Sequence, residues 1–201
     1  MKKLFLISLA MTFAVIASAQ GLKGLTVGGG LSIDPFAYSP SGDYEPKVTD
    51  GYHLEVAYPI SFTKVSALGI GLRWTQTFNY REEGLAGAKV RTDYTRGYIG
   101  IPIKYVAHFG GFFFNVGPTL NFFVLGEQKV KVDGKSAKES FIDNDINRFD
   151  TALGLELGYD WTHIHLAAGY DCGLVKLIKS SANAPTNCRR HEIRVTVGYR
   201  F

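Results

Sequence analysis

The residues numbered 190–201 read Arg-His-Glu-Ile-Arg-Val-Thr-Val-Gly-Tyr-Arg-Phe. From Ile193 the odd positions are Ile193, Val195, Val197, Tyr199 and Phe201. The even positions are Arg190, Glu192, Arg194, Thr196, Gly198 and Arg200. A period of two puts one set on each face of a strand, whereas a helix would scatter both sets around its circumference. The strand therefore has one oily face and one charged face, and the last residue is aromatic. Such a segment fits the wall of a membrane barrel, where lipid wets one face and a polar lumen the other.

The rest of the chain repeats the pattern. Seven further alternating segments are centred on Val27–Ile33, Leu54–Ile60, Leu68–Phe78, Ile99–Tyr105, Phe112–Val124, Phe149–Tyr159 and Ile164–Tyr170. In each, aliphatic and aromatic residues alternate with Gly, Thr, Ala, Asn and an occasional charge. Pro102 lies on the polar side of the fourth segment. Proline donates no ladder hydrogen bond, so a local bulge or bend is expected there. The connections at 61–64, 108–110 and 160–162 are short. Those at 35–50, 80–92, 126–147 and 175–188 are long and polar and read as loops. The expected fold is all-β: an eight-stranded antiparallel up-and-down transmembrane barrel. Its short turns and termini would lie on the periplasmic side, with four loops displayed outside.

A soluble eight-stranded barrel would alternate too, but with its apolar face inward. The polar face here carries few charges per strand, too few for a surface in water. Its small residues suit a narrow lumen. Abundant Phe (14), Tyr (11) and Gly (23) agree with a membrane barrel. Trp74, Phe78 and Tyr80 at one end of their strands, and Tyr159, Trp161 and Tyr199 at the other, stand where interfacial aromatic girdles form.

The first nineteen residues differ. Lys2 and Lys3 precede an apolar run over 4–16 and then Ala17-Ser18-Ala19. This is the pattern of a secretory signal peptide, with cleavage expected before Gln20 and a barrel domain over 20–201. The run is short for a membrane helix. Removing the leader lowers the formal net charge from +4 to +2, too mild to imply nucleic acid.

Several motifs resemble a known family. Tyr98-Ile99-Gly100-Ile101-Pro102-Ile103-Lys104-Tyr105 is similar to the aromatic-x-x-Ile-Pro-…-Lys-Tyr strand of the PorT-like outer-membrane β-barrels of Bacteroidetes. Asn115-Val116-Gly117-Pro118 resembles their Gly-Pro strand. Arg148-Phe149-Asp150 before Gly154 resembles their Phe-Asp…Gly strand. Gly169-Tyr170-Asp171-Cys172-Gly173-Leu174 and Gly198-Tyr199-Arg200-Phe201 resemble the last two. The resemblance covers about half the chain. It implies an eight-stranded barrel in a Gram-negative outer membrane and no single activity.

The inward face would gather His53, Glu55, Arg73, Lys104, Glu156, Asp171, Glu192, Arg194 and Arg200. In so narrow a lumen opposite charges must pair. A structural plug built from Glu55, Arg73, Lys104, Glu156, Asp171, Glu192 and Arg194 is the reading preferred to an ion path. His163 and His165 share a parity, but no Cys or carboxylate pattern joins them into a metal site. Asp50, His53, Ser180 and Ser181 lie near loops without a geometry that makes a nucleophile, so no enzyme and no cofactor are expected. Cys172 and Cys188 flank the last loop in an oxidising compartment, where a disulfide is possible. Ile193, Val195, Val197, Tyr199 and Phe201 resemble the signal read by barrel-insertion machinery. Besides that machinery, the expected partners of a monomer are outer-membrane lipids, with envelope proteins as a further option. The expected role is structural or surface interaction. The alternatives are a narrow porin-like channel and a barrel component of an envelope secretion complex.

Overall fold

The computed structural model describes residues 24–37, 47–85, 88–132, 135–140, 147–177 and 189–201. The strands are β1 (Thr26–Ala37), β2 (Lys47–Ser61), β3 (Ser66–Leu85), β4 (Ala88–Phe109), β5 (Phe112–Val132), β6 (Lys135–Ser140), β7 (Phe149–Trp161), β8 (Ile164–Lys176) and β9 (Arg189–Arg200). Every pairing is antiparallel. β1 pairs with β2, β2 with β3, β3 with β4, β4 with β5, β5 with β7, β7 with β8 and β8 with β9. β9 then returns to β1, with Thr26 opposite Arg200 and Ile33 opposite Ile193. Among the described residues, eight strands thus form a closed ring, and β6 stands outside it.

The two faces settle the choice between a membrane and a soluble barrel. The side chains turned inward and buried are mostly polar, among them Arg73, Thr75, Thr119, Asn121, Asp171, Glu192 and Arg194. The large apolar side chains, such as Leu72, Leu155, Leu157, Val195 and Val197, lie exposed on the outside. A contiguous apolar exterior of this extent is costly in water and favourable in lipid. Near the short-turn end Ala67, Val106, Phe113 and Ala167 form a buried apolar patch.

The turns β2–β3, β4–β5 and β7–β8 lie at the end where β1 starts and β9 finishes. Gly110 provides a left-handed residue in one turn (φ 67°), and Thr162 takes that conformation in another (φ 53°). The opposite end is unequal. β7, β8 and β9 have 13, 13 and 12 residues, enough to span a bilayer, whereas β3, β4 and β5 have 20, 22 and 21. The excess forms a sheet extension beyond the ring, and β6 adds a fourth strand along 127–132 of β5.

This corrects the loops expected over 80–92 and 126–147. Val90, Thr92, Tyr94, Val130 and Val132 keep β-forming residues in alternation, so the polar stretches continue as ladder. β1 likewise runs through Pro35, with a shift in register between Asp34 and Ala37. Of the bulge or bend expected at Pro102, the bulge is elsewhere. Gly97 faces Leu125 and Tyr98 faces Phe123, so Val124 is the extra residue. Pro102 stays in register opposite Thr119. The β3–β4 ladder lapses beside it without slipping, and a Cβ on Gly71 would come 3.0 Å from the Pro102 ring. The missing N–H and the ring are absorbed by a gap and a glycine rather than by an inserted residue.

The signal-peptide segment, and Ser180, Ser181 and Cys188, lie outside the described residues, and with them the question of a disulfide to Cys172.

Closure ends in two hydrogen bonds, Gly24 N–H to the Phe201 carbonyl (2.7 Å) and Phe201 N–H to the Leu25 carbonyl (2.9 Å). The Phe201 ring packs edge-on against Tyr199, 4.9 Å between centroids. Deleting Phe201 is therefore expected to lower the yield of membrane-inserted, heat-modifiable protein on gels. Deleting Ser136 and Ala137 from β6, outside the ring, is expected to leave that yield unchanged. Equal yields for the two deletions would contradict the role given to Phe201.

Candidate functional site

The inward positions of five strands, two on one side of β1 and three on the other, converge at mid-height of the barrel. β2 brings Glu55, β3 Arg73, β7 Glu156, β8 Asp171, and β9 Glu192 and Arg194. Lys104 of β4 and Asn115 of β5 approach from the remaining wall. All obey the period of two, which is why distant sequence positions share one small space.

Asp171 is the hub. Its Oδ2 accepts hydrogen bonds from Arg73 Nη1 (2.8 Å) and Arg194 Nη1 (2.6 Å), and its Oδ1 accepts one from Arg194 Nη2 (3.1 Å). Arg73 Nε also donates to Glu55 Oε2 (2.7 Å). Arg194 Nη2 lies 3.6 Å from Glu156 Oε2, which accepts a bond from Lys104 Nζ at 3.0 Å. Asn115 donates to the other oxygen of Glu156 (2.7 Å). Glu192 accepts from Ser32 (2.5 Å), Thr75 (3.3 Å) and Arg190, and lies 3.9 Å from Arg194. All seven residues of the expected charge cluster are therefore in one connected set.

Sequence reasoning left out Arg190. Its even parity matches Glu192 and Arg194, but it adjoins the polar stretch read as loop. The structure buries it towards the end away from the short turns, with its guanidinium 4.5 Å over the Tyr98 ring. Tyr98 in turn contacts Phe123 at 5.2 Å. With Arg190 counted, four cations (Arg73, Lys104, Arg190, Arg194) face four carboxylates (Glu55, Glu156, Asp171, Glu192). Within this connected set the charges balance, as narrow, low-dielectric surroundings require. The side chains of Arg73, Asp171, Glu192 and Arg194 are each only 1 % exposed.

Two glycines make the space. A Cβ on Gly154 would lie 2.4 Å from Asp171 Oδ1, and one on Gly169 2.9 Å from Arg194 Nη2. Any larger residue on the inward face of β7 or β8 at these points would displace the hub.

Towards the short-turn end the lumen widens into a cavity of about 70 Å³ that stops at the Lys104–Glu156 pair. Its rim holds Asp160, which accepts hydrogen bonds from His165 Nδ1 (2.7 Å) and Arg200. The His165 ring stacks on Phe113 at 4.8 Å. His163 does not join it. It sits in the β7–β8 turn, exposed, stacked on Tyr199 at 5.3 Å, with Nδ1 3.0 Å from the Arg200 carbonyl. Shared parity fails here because the left-handed Thr162 ends the alternation. His53 is buried in the lumen, with Nε2 2.9 Å from Thr196 Oγ1, whereas Asp50 is exposed on the outer surface. The structure does not bring those two together. Among the described residues no group of three or more His, Cys, Asp or Glu side chains could hold a metal ion.

The sequence model of a family described as "Outer membrane protein beta-barrel domain" matches residues 5–201. Among solved structures, one is of Ail, the attachment invasion locus protein of Yersinia pestis, in complex with the heparin analogue sucrose octasulfate. It is 17 % identical, with a TM-score of 0.52 over 89 % of this chain and 99 % of that one. Neisserial surface protein A is 18 % identical, with a TM-score of 0.53 over 90 % of this chain and 100 % of that one. At these identities the likeness is one of fold. No curated protein matches the chain in sequence.

Removing one member of a buried ionic set strands its partners, and here Arg73 Nη2, Arg194 Nε and Arg190 Nη1 already meet no protein acceptor. Asp171→Asn is expected to destabilise the barrel by about 3–5 kcal/mol, the range for breaking a buried pair. The check is urea unfolding in lipid vesicles. Asp171→Met combined with Arg194→Met removes both signs together and is expected to lose much less. A neutral D171N would show that the cluster is not holding the wall.

Proposed function

The chain belongs to the outer membrane protein beta-barrel domain family, and from that membership we propose a closed barrel whose task is surface interaction through its outer segments rather than passage of solutes. The single observation that supports this reading is the filled lumen. The layer centred on Asp171 links β2, β3, β8 and β9 by hydrogen bonds, the Arg194–Glu156 ion pair joins β7 to it, and Lys104 ties β4 to Glu156. Moving a hydrated ion past it would break several charge-assisted bonds at once in a space that eight strands leave barely wide enough for side chains.

The outer end carries what the lumen lacks. β3, β4, β5 and β6 rise as a sheet well beyond the ring. A rigid platform of this kind can meet a partner without first ordering a loop. Attachment, the role in the name of the Yersinia pestis protein, is one that such a platform can serve. We read the protein as non-enzymatic. Within the family we place it in the PorT-like branch, on the motifs carried by β4, β5, β7, β8 and β9. The orientation we assign puts the short turns and both ends of the ring in the periplasm, after export by a leader cleaved before Gln20.

In planar bilayers the refolded protein is expected to give no steady, resolvable single-channel openings. Regular unitary currents would instead support the narrow channel. Extraction from native membranes in mild detergent is expected to yield a monomer, and stoichiometric co-purifying proteins would support the secretion-complex alternative. Intact mass of the outer-membrane form is expected to correspond to a chain starting at Gln20.

A further inference from the structure

The face that β3, β4 and β5 turn to lipid does not stop at the edge of the hydrocarbon. On β5 it runs from Phe112 through Phe122 and Val124. Past the bulge the same face presents Glu127, Lys129 and Lys131. On β4 it passes from Ile99 to Thr95, Asp93 and Arg91, which stand opposite Glu127, Lys129 and Lys131. β6 sets Lys138 beside Lys129 and Ser136 beside Lys131. On β3 the apolar border is Phe78 and Tyr80, both exposed, and Arg91 lies 4.6 Å over the Tyr80 ring.

Position decides what this face meets. A strand tilted as in other barrels climbs about 2.5 Å per residue. Lys129 and Lys131 follow Leu125, the last aliphatic residue on this face, by four and six residues, so they stand roughly 10–15 Å above it. That is the level of headgroup sugars and phosphates, on the side of the wall where lipid lies. A soluble polyanion would have to descend the outside of the barrel to reach it.

The charges fit an anion there. Arg91 pairs with Glu82 (3.6 Å) and Asp93 (2.7 Å), Lys131 with Asp93 (2.6 Å) and Lys138 with Glu127 (2.5 Å). These pairs are exposed, and ion pairs of that kind contribute little, so a phosphate can compete for their cations. Lys129 is exposed and, among the described residues, has no carboxylate within ion-pair distance. Asp50 lies at the lower rim on β2. Across the whole face Arg91, Lys129, Lys131 and Lys138 are matched by Asp50, Glu82, Asp93 and Glu127, but on the β5 and β6 part of it three lysines stand with one carboxylate, Glu127. A groove of about 480 Å³ runs between Tyr80 and Lys138.

We propose that this face seats the phosphorylated headgroup of an anionic glycolipid in the outer leaflet, with Lys129 and Lys138 on the phosphate. The proposal rests on the membrane orientation given above. It concerns the outer wall only and is independent of whether the lumen conducts.

The test titrates the intact barrel in zwitterionic detergent with lipopolysaccharide, with the same glycolipid dephosphorylated, and with heparin, reading binding by mobility shift and thermal unfolding. Heat-modifiable migration confirms that each variant is folded. Lipopolysaccharide is expected to bind and to stabilise. Dephosphorylation, and K129Q with K138Q, are each expected to weaken binding about tenfold, the loss of charge-assisted contacts. Glu127→Gln, which frees Lys138 without removing a cation, is expected to tighten it about threefold. Equal affinity for the two glycolipid forms, or unchanged binding by both variants, would overturn the proposal. So would heparin binding as strong as that of the glycolipid, which would make the face a site for soluble polyanions.

Discussion

Inside a bilayer no water is present to satisfy a backbone N–H or C=O, so a strand wall is stable there only if its ladder has no open edge. The contact between β1 and β9 is therefore the condition for everything else. It brings the first and last described strands together over eight residue pairs, from Thr26↔Arg200 to Ile33↔Ile193. Once the ring is closed, the period of two leaves each side chain one of two fates, lipid or lumen. The apolar exterior and the polar interior follow from closure and alternation together.

Closure also sets the lumen's chemistry. Eight strands enclose a space that side chains can fill, with little room for water to screen a charge. Any arginine placed there needs a carboxylate, and the requirement propagates. Arg73 and Arg194 share Asp171, Arg194 and Lys104 share Glu156, and Arg190 takes Glu192. Because these residues come from strands far apart in sequence, the bonds act as struts across the ring. The same set that closes the lumen thus stiffens the wall, and Gly154 and Gly169 are part of it, since a side chain at either would occupy the space of the struts.

Alternation makes the ring readable from the sequence because lipid and lumen impose opposite chemistry on neighbouring residues. Glu55, Arg73, Lys104, Glu156, Asp171, Glu192 and Arg194 fall into one group on parity alone for that reason. Where the two environments stop, the signal stops. Beyond the hydrocarbon neither face of β3–β6 meets lipid tails, so Lys129, Lys131 and Lys138 have the composition of a loop although the ladder continues through them. Arg190 escapes notice at that same border. Parity also says nothing about turns, which is why His163 leaves the face that His165 keeps. At Pro102 the rule that proline disturbs a ladder is sound, but a gap and Gly71 accommodate it without an extra residue, and the bulge falls at Val124. Such local solutions depend on the partner strand, which a single strand's sequence does not contain.

The division between wall and extension bears on how function can vary in a chain of this kind. The motifs that resemble PorT-like barrels, at 98–105, 115–118, 148–154, 169–174 and 198–201, all lie on strands of the ring or at their ends. They answer to lipid, closure and lumen packing, demands common to any such barrel. The extension answers to none of them. Its hydrogen bonds are made within β3–β6, and its charges on the outward face are exposed rather than locked into the lumen set. Substitutions there can change what the surface meets without loosening the ring, whereas a change at Asp171 alters the ring itself. Architecture is therefore written in the wall, and the specificity of the molecule has to be sought above it.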